Sequence, residues 1–149
     1  MALSLKVERI GACRQSAAPV PVFPLYLCKV SAGFPAPTDD TVDRNLDLNE
    51  LLIQHPAATF FVRVSGHSMV EANIFDQDIL IIDRSIEPTH GKIVVAAVEG
   101  AMTVKRLHIG KDNRIYLMPE NTAFQSILVN PEQGVHIWGV VTHIIHAAG

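Results

Sequence analysis

From Thr59 to the end, the chain is a succession of short apolar runs, each stopped by glycine, proline, asparagine or aspartate. That rhythm limits the fold more than any other feature. Thr59-Phe60-Phe61-Val62-Arg63-Val64 is aromatic and β-branched, and Ile79-Leu80-Ile81-Ile82-Asp83 is a second short run. Lys92 to Val98 leads into Glu99-Gly100, a good hairpin turn, and Ala101 to Ile109 runs back. Arg114 to Met118 follows, and Val135 to Ile145, holding Trp138 and Gly139, makes the final run. Side chains of these types fit a pleated, half-buried surface, so each run is expected to be a strand. Many short strands between tight turns predict a mainly β protein, a twisted sandwich or partly open barrel. No repeat of about 20–50 residues and no low-complexity tract is present.

Residues 1–45 read differently. Pro19, Pro21, Pro24, Pro35 and Pro37 are five of the nine prolines, and each removes a backbone donor and restricts the residue before it. Regular helix is therefore not expected there. Val20, Val22, Phe23, Leu25, Tyr26 and Leu27 favour an extended segment, an arm ordered only where it packs on something. The expected division is an arm over 1–45 and a β-rich core over 46–149. A short helix should open the core, with Asp47 as N-cap, Glu50 three residues on, and Leu48, Leu51 and Leu52 on one face. Pro56 closes it.

Composition excludes several classes. A chain of 149 residues with 48% apolar and 18% charged residues is long enough for one folded core. Its net charge of −3, with no basic block, gives no electrostatic footprint for direct nucleic-acid binding. No apolar run approaches the roughly 18 residues that span a bilayer, and no signal-peptide pattern opens the chain. Cys13 and Cys28 lack metal-ligand spacing and read as free thiols in a reducing compartment. The expectation is a cytoplasmic protein.

The candidate chemistry lies in Val64-Ser65-Gly66-His67-Ser68-Met69, where a strand runs straight into a polar loop. Gly66 permits a sharp turn, and Ser68 sits just past the strand end, where a hydroxyl can be held rigidly yet reached. By itself the string describes a turn equally well. It is not a nucleophile elbow, because Val70 stands where the second glycine belongs. A nucleophilic serine needs a base. Among the histidines, His55, His90, His143 and His146 have no companion carboxylate in a recognisable pattern, and His67 is too close along the chain to face Ser68. No metal-binding histidine pair is present. Lysine is the other option, and Lys105 lies inside the strand-like Met102-Thr103-Val104-Lys105-Arg106-Leu107. One of Lys105 and Arg106 must point inward or to an edge, and periodicity does not choose between them.

Four strings in order bear a resemblance. Ser65-Gly66-His67-Ser68-Met69, Asp76-Gln77-Asp78-Ile79-Leu80, Gly91-Lys92-Ile93-Val94-Val95-Ala96 and Thr103-Val104-Lys105-Arg106-Leu107 are similar to the self-cleaving Ser-Lys peptidases related to the LexA repressor. Ser31-Ala32-Gly33-Phe34-Pro35, the stretch from Asp47 to Pro56, and Ile137-Trp138-Gly139-Val140-Val141-Thr142-His143 resemble the UmuD/MucA mutagenesis subunits within that family. The resemblance runs over about residues 22–146.

It implies the β fold of the LexA C-terminal and signal-peptidase type, with Ser68 as nucleophile, Lys105 as base and Ala32-Gly33 as the scissile bond. The backbone N–H groups of Ser68 and His67 would hold the oxyanion. No cofactor and no metal are implied. A lysine with an ordinary pKa of about 10.4 is no base near neutrality, and burial in an apolar core can bring it to roughly 7–8. Family members have glycines in the turn after the Ser-Met pair, where this chain has Ala72, Asn73 and Gln77. Before the scissile glycine stands Ala32, where some relatives have cysteine. Only 32 proline-interrupted residues precede Gly33, too few for the DNA-binding domain of a repressor.

Two functions stay open. One is an autopeptidase whose product, residues 33–149, serves an error-prone translesion polymerase in the SOS response. For it the resemblance implies a homodimer, a RecA–single-stranded-DNA filament as activator, and a UmuC-like Y-family polymerase as partner. The other is a non-catalytic β-fold module acting on a polymerase or repair protein by contact alone.

Overall fold

The computed structural model describes residues 6–12, 22–26, 32–33, 41–130, 132 and 134–149. Its strands are β1 (Lys6–Ala12), β2 (Phe23–Tyr26), β3 (Val42–Leu46), β4 (Thr59–Ser65), β5 (Ile79–Asp83), β6 (Ile93–Val98), β7 (Ala101–Ile109), β8 (Ile115–Met118), β9 (Ile127–Leu128) and β10 (His136–Ile145). One short helix, α1 (Leu48–Leu52), and the 3-10 turns Pro56–Ala58 and Val70–Ala72 interrupt them. The protein is mainly β, as the spacing of apolar runs predicts.

Eight strands form one antiparallel sheet in the order β1-β4-β5-β10-β6-β7-β8-β9. It curls until β1 also meets β7, but only at the pair Lys6–Thr103, so the barrel is not closed along its length. The turn between β6 and β7 is Glu99-Gly100, both at positive φ (50° and 81°), with Val98 and Ala101 paired across it. Two left-handed residues give the turn whose twist matches the flanking strands. On β10 the register slips between Ile137 and Gly139. A Cβ at Gly139 would lie 2.6 Å from Ile82 Cγ2 and 3.1 Å from the Asp83 carbonyl, so only glycine lets β10 approach β5 there.

The sheet buries apolar side chains on both sides of its centre. Phe60, Val62, Val64, Met69, Ile74, Leu80, Ile82, Val95 and Val104 make one cluster. Val94, Ala96, Leu107, Leu117 and Val140 make the other. Adjacent residues of β6 divide between the two, as side-chain alternation along a strand requires. This explains why the central runs read as continuously apolar.

The chain divides into two compact units. One combines β1 with residues 55–149; the other lies within 15–54 and holds β2, β3 and α1. That boundary differs from the 45/46 division expected from the prolines. Residues 6–12 precede the first proline and keep every backbone donor, so β1 pairs with β4 from Lys6–Ser65 to Ala12–Phe60. Within the smaller unit, β2 and β3 form a two-stranded antiparallel sheet, and Asp47 caps α1 by accepting the Asn49 N–H at 2.9 Å. On the apolar face of α1, Leu48 and Leu51 are exposed and Leu52 is half-buried. Cys13 and Cys28 lie outside the described residues. No helix among the described residues is long and apolar enough to cross a membrane.

Candidate active site

β4 ends at Ser65, and the chain turns at Gly66, whose φ of 102° suits glycine and whose N–H is held by Asp76 Oδ1 at 2.9 Å. Two core side chains, Met69 and Ile74, anchor the loop on either side of the 3-10 turn, both fully buried. The Met69 carbonyl accepts from Ala72 and Ile74, at 3.0 and 3.2 Å. Ser68, one residue before the Met69 anchor, is fully buried with it. The loop's shape is therefore fixed by packing, and the hydroxyl is placed by its neighbour's burial.

Of the three turn positions where the resemblance implies glycine, Asn73 (φ 60°) and Gln77 (φ 70°) hold the left-handed conformation. Ala72 ends the 3-10 turn Val70–Ala72 and is not among the positive-φ residues. Asparagine adopts that conformation readily, whereas glutamine carries the cost of a long side chain there. Gln77→Gly should raise stability by about 0.5–1 kcal/mol, read as a higher chemical-denaturation midpoint. A lower midpoint would show that the Gln77 side chain contributes more than its backbone costs.

The choice between Lys105 and Arg106 is resolved by the strand's two faces. Lys105 is 2% exposed, paired in register with Val94, and its Nζ donates to Ser68 Oγ at 3.0 Å. Burial lowers its pKa from the ordinary 10.5 to about 8. The Phe124 ring centroid lies 6.0 Å from Nζ. Arg106 points the other way, where it pairs with Glu120 and donates to the Gly91 carbonyl at 2.7 Å. Neighbouring basic residues on one strand thus have different surroundings, Lys105 buried and Arg106 half-buried.

A cleft of about 320 Å³ is lined by Glu71, Met118, Pro119, Asn121, Phe124 and Ser126, among others. Its wall, the segment after β8, touches the serine loop directly. The Glu120 N–H donates to the Ser68 carbonyl at 2.8 Å, and the Glu120 carbonyl accepts from Glu71 at 2.9 Å. Asn121 Nδ2 donates to the His67 carbonyl at 2.8 Å. Reading the sequence did not single out Glu120 or Asn121, since nothing local links them to a serine more than 50 residues away.

The histidines have other partners. His55 Nδ1 lies 2.6 Å from Asp83 Oδ2, and His146 Nδ1 lies 2.5 Å from Asp78 Oδ1. These carboxylate companions are 28 and 68 residues distant, which is why no local pattern marked them. Asp83 also accepts from Ser85 N and Oγ; despite the opposing effect of burial, these bonds and His55 hold its pKa below the ordinary value. His90 accepts the Ile109 N–H at 3.0 Å, and the carbonyl of the exposed His67 is bonded to the cleft wall. Ala32 and Gly33 occupy an exposed bend in the smaller unit.

A serine hydroxyl bonded to a buried amine of lowered pKa is an arrangement able to make a nucleophile without histidine. Over most of its length the chain is similar to known proteins. Protein MucA of Salmonella typhimurium is 46% identical over 121 residues, covering 80% of this chain and 82% of that protein. Protein ImpA of Escherichia coli is 42% identical, with 84% of each chain covered. The LexA repressor of Bacillus cytotoxicus is 36% identical over 83% of this chain and 58% of its own length. The family description Peptidase S24-like matches residues 24–142, and the chain belongs to that family.

Proposed function

We propose that this protein is a serine endopeptidase acting on itself, cutting Ala32-Gly33 with Ser68 as nucleophile and Lys105 as base. The contact of Lys105 Nζ with Ser68 Oγ at 3.0 Å, between two buried side chains, carries the reading. Neutral Lys105 takes the hydroxyl proton as Oγ attacks the Ala32 carbonyl carbon. The backbone N–H groups of Ser68 and His67 hold the oxyanion. Collapse breaks the bond to the Gly33 nitrogen, which leaves with the proton from Lys105. Water, deprotonated by the same amine, then releases Ala32 from its ester. Tethering replaces a binding step, so placement of the arm acts as the switch.

The relatives named MucA, ImpA and SamA, at 42–46% identity, support assigning the product a place in SOS mutagenesis. In this reading residues 33–149 act as a homodimer on a UmuC-like Y-family polymerase. A RecA–single-stranded-DNA filament stimulates the cut, with no direct nucleic-acid contact, no membrane and a cytoplasmic location.

The test is self-cleavage without any partner. Because the base must be neutral, yield should climb as pH rises through about 8 and level off above it. Mass spectrometry should find the new ends at Ala32 and Gly33. Equal yields from about pH 6 to 10 would remove Lys105 from the role of base.

A further inference from the structure

The backbone around Ser68 is braced from the cleft wall, and the brace has a direction. A trans peptide unit points its C=O and its following N–H in opposite senses. Holding the His67 carbonyl therefore aims the Ser68 N–H, and holding the Ser68 carbonyl aims the Met69 N–H. Asn121 Nδ2 takes the first carbonyl at 2.8 Å, and the Glu120 N–H takes the second at 2.8 Å.

The Asn121 amide is itself oriented. Its Oδ1 accepts the Ala123 N–H at 2.9 Å, which leaves Nδ2 facing His67. The Asn121 carbonyl accepts the Phe124 N–H at 3.1 Å, closing the turn that carries the ring 6.0 Å from Lys105 Nζ. Glu120 is tied back to β7 by Arg106, the residue beside the base. One short segment thus connects the base's strand, the cleft and both peptide units flanking the serine.

We infer that Asn121 is a positioning residue for the self-cleavage reaction: its amide fixes the His67-Ser68 peptide plane so that the Ser68 N–H faces the developing oxyanion. This rests on the reading of Ser68 as nucleophile. A donor aimed where charge develops costs no reorganisation during the reaction, whereas a peptide free to rock loses that advantage.

The variant that isolates the contact is Asn121→Asp. It keeps an oxygen for the Ala123 N–H and the same shape, but it sets an acceptor against the His67 carbonyl. Asn121→Ala removes the same donor without adding charge. Both should slow self-cleavage about ten- to a hundredfold on the high-pH plateau, the scale of a misplacement near 1 Å. In Asn121→Ala the midpoint of the pH–rate profile should not move, since no charge is added near Lys105. The thermal midpoint should stay close to that of the unaltered chain, because the bond is exposed.

Unaltered plateau rates in both variants would overturn the inference while the unaltered chain and Ser68→Ala keep the nucleophile assignment intact. A loss in Asn121→Asp that vanishes at high pH would also overturn it, by tracing the effect to charge near Lys105. A chain that does not cleave under any alkaline condition overturns the peptidase reading and this inference together.

Discussion

Ser68→Ala should lower self-cleavage by a factor on the order of 10⁴ or more, and Lys105→Met should do the same. The two losses should not add, because the hydroxyl and amine act as one unit, so the double variant is expected to be no slower than either. Stability separates them. The folded pKa of Lys105, about 8, lies below its unfolded value of 10.5. The unfolded chain therefore binds more protons between those values, and stability should rise with pH across that window. Below about pH 8 the folded protein carries a buried ammonium, which costs up to about 3 kcal/mol.

Lys105→Met removes that cost and should be more stable than the unaltered chain at pH 7. The gain should shrink as pH approaches 10.5. Ser68→Ala removes only an oxygen and should retain the pH dependence of the original. Guanidinium unfolding at several pH values, beside cleavage yields, provides the check. Retained cleavage in Ser68→Ala would end the nucleophile assignment; a Lys105→Met protein less stable at pH 7 would show that the amine is better satisfied in the core than its burial suggests.

The same burial governs what could be read from sequence. Strand spans were legible because period and turn chemistry are local: the run Ala101 to Ile109 and the Glu99-Gly100 turn stand where the residues place them. Which of Lys105 and Arg106 faces the serine was not legible, since Thr103, Val104 and Lys105 are all buried and the strand has no single wet face. Tertiary covering on both sides erased the alternation that would have chosen.

The resemblance pointed to Lys105, whose Nζ lies 3.0 Å from Ser68 Oγ. The positive φ of Asn73 and Gln77 is a related case. The departure from glycine was visible in the sequence, and its cost became definable only with the backbone angle. Long-range carboxylate partners and the Asn121 brace had no sequence signal, because they join loops whose proximity is a product of the fold. β1 was hidden for another reason: a strand of seven residues within a proline-rich third reads as arm until its partner is known.

At the substrate end, Gly33→Glu should block cleavage while leaving Ser68 and Lys105 in place. The scissile carbonyl must sit within bonding reach of a hydroxyl in a buried site, and small side chains let a backbone approach that closely. A glutamate at 33 would hinder that close approach. Displacement of the carbonyl by about 1 Å is enough to cost on the order of a hundredfold. The fold should be unaffected, because Gly33 is exposed and an added Cβ would meet no atom within 4 Å. Loss of cleavage in a normally stable Gly33→Glu protein would therefore report on the substrate pose and not on unfolding.

Residues 33–149 produced directly should bypass the block and support polymerase-dependent mutagenesis without the filament. The paired measurement is cleavage yield of Gly33→Glu and activity of that fragment in cells lacking the full-length chain. Normal cutting of Gly33→Glu at this bond would displace the scissile assignment. An inactive fragment beside a working, uncleavable full-length chain would mean that contact alone suffices, and the non-catalytic binding module would then be the better account.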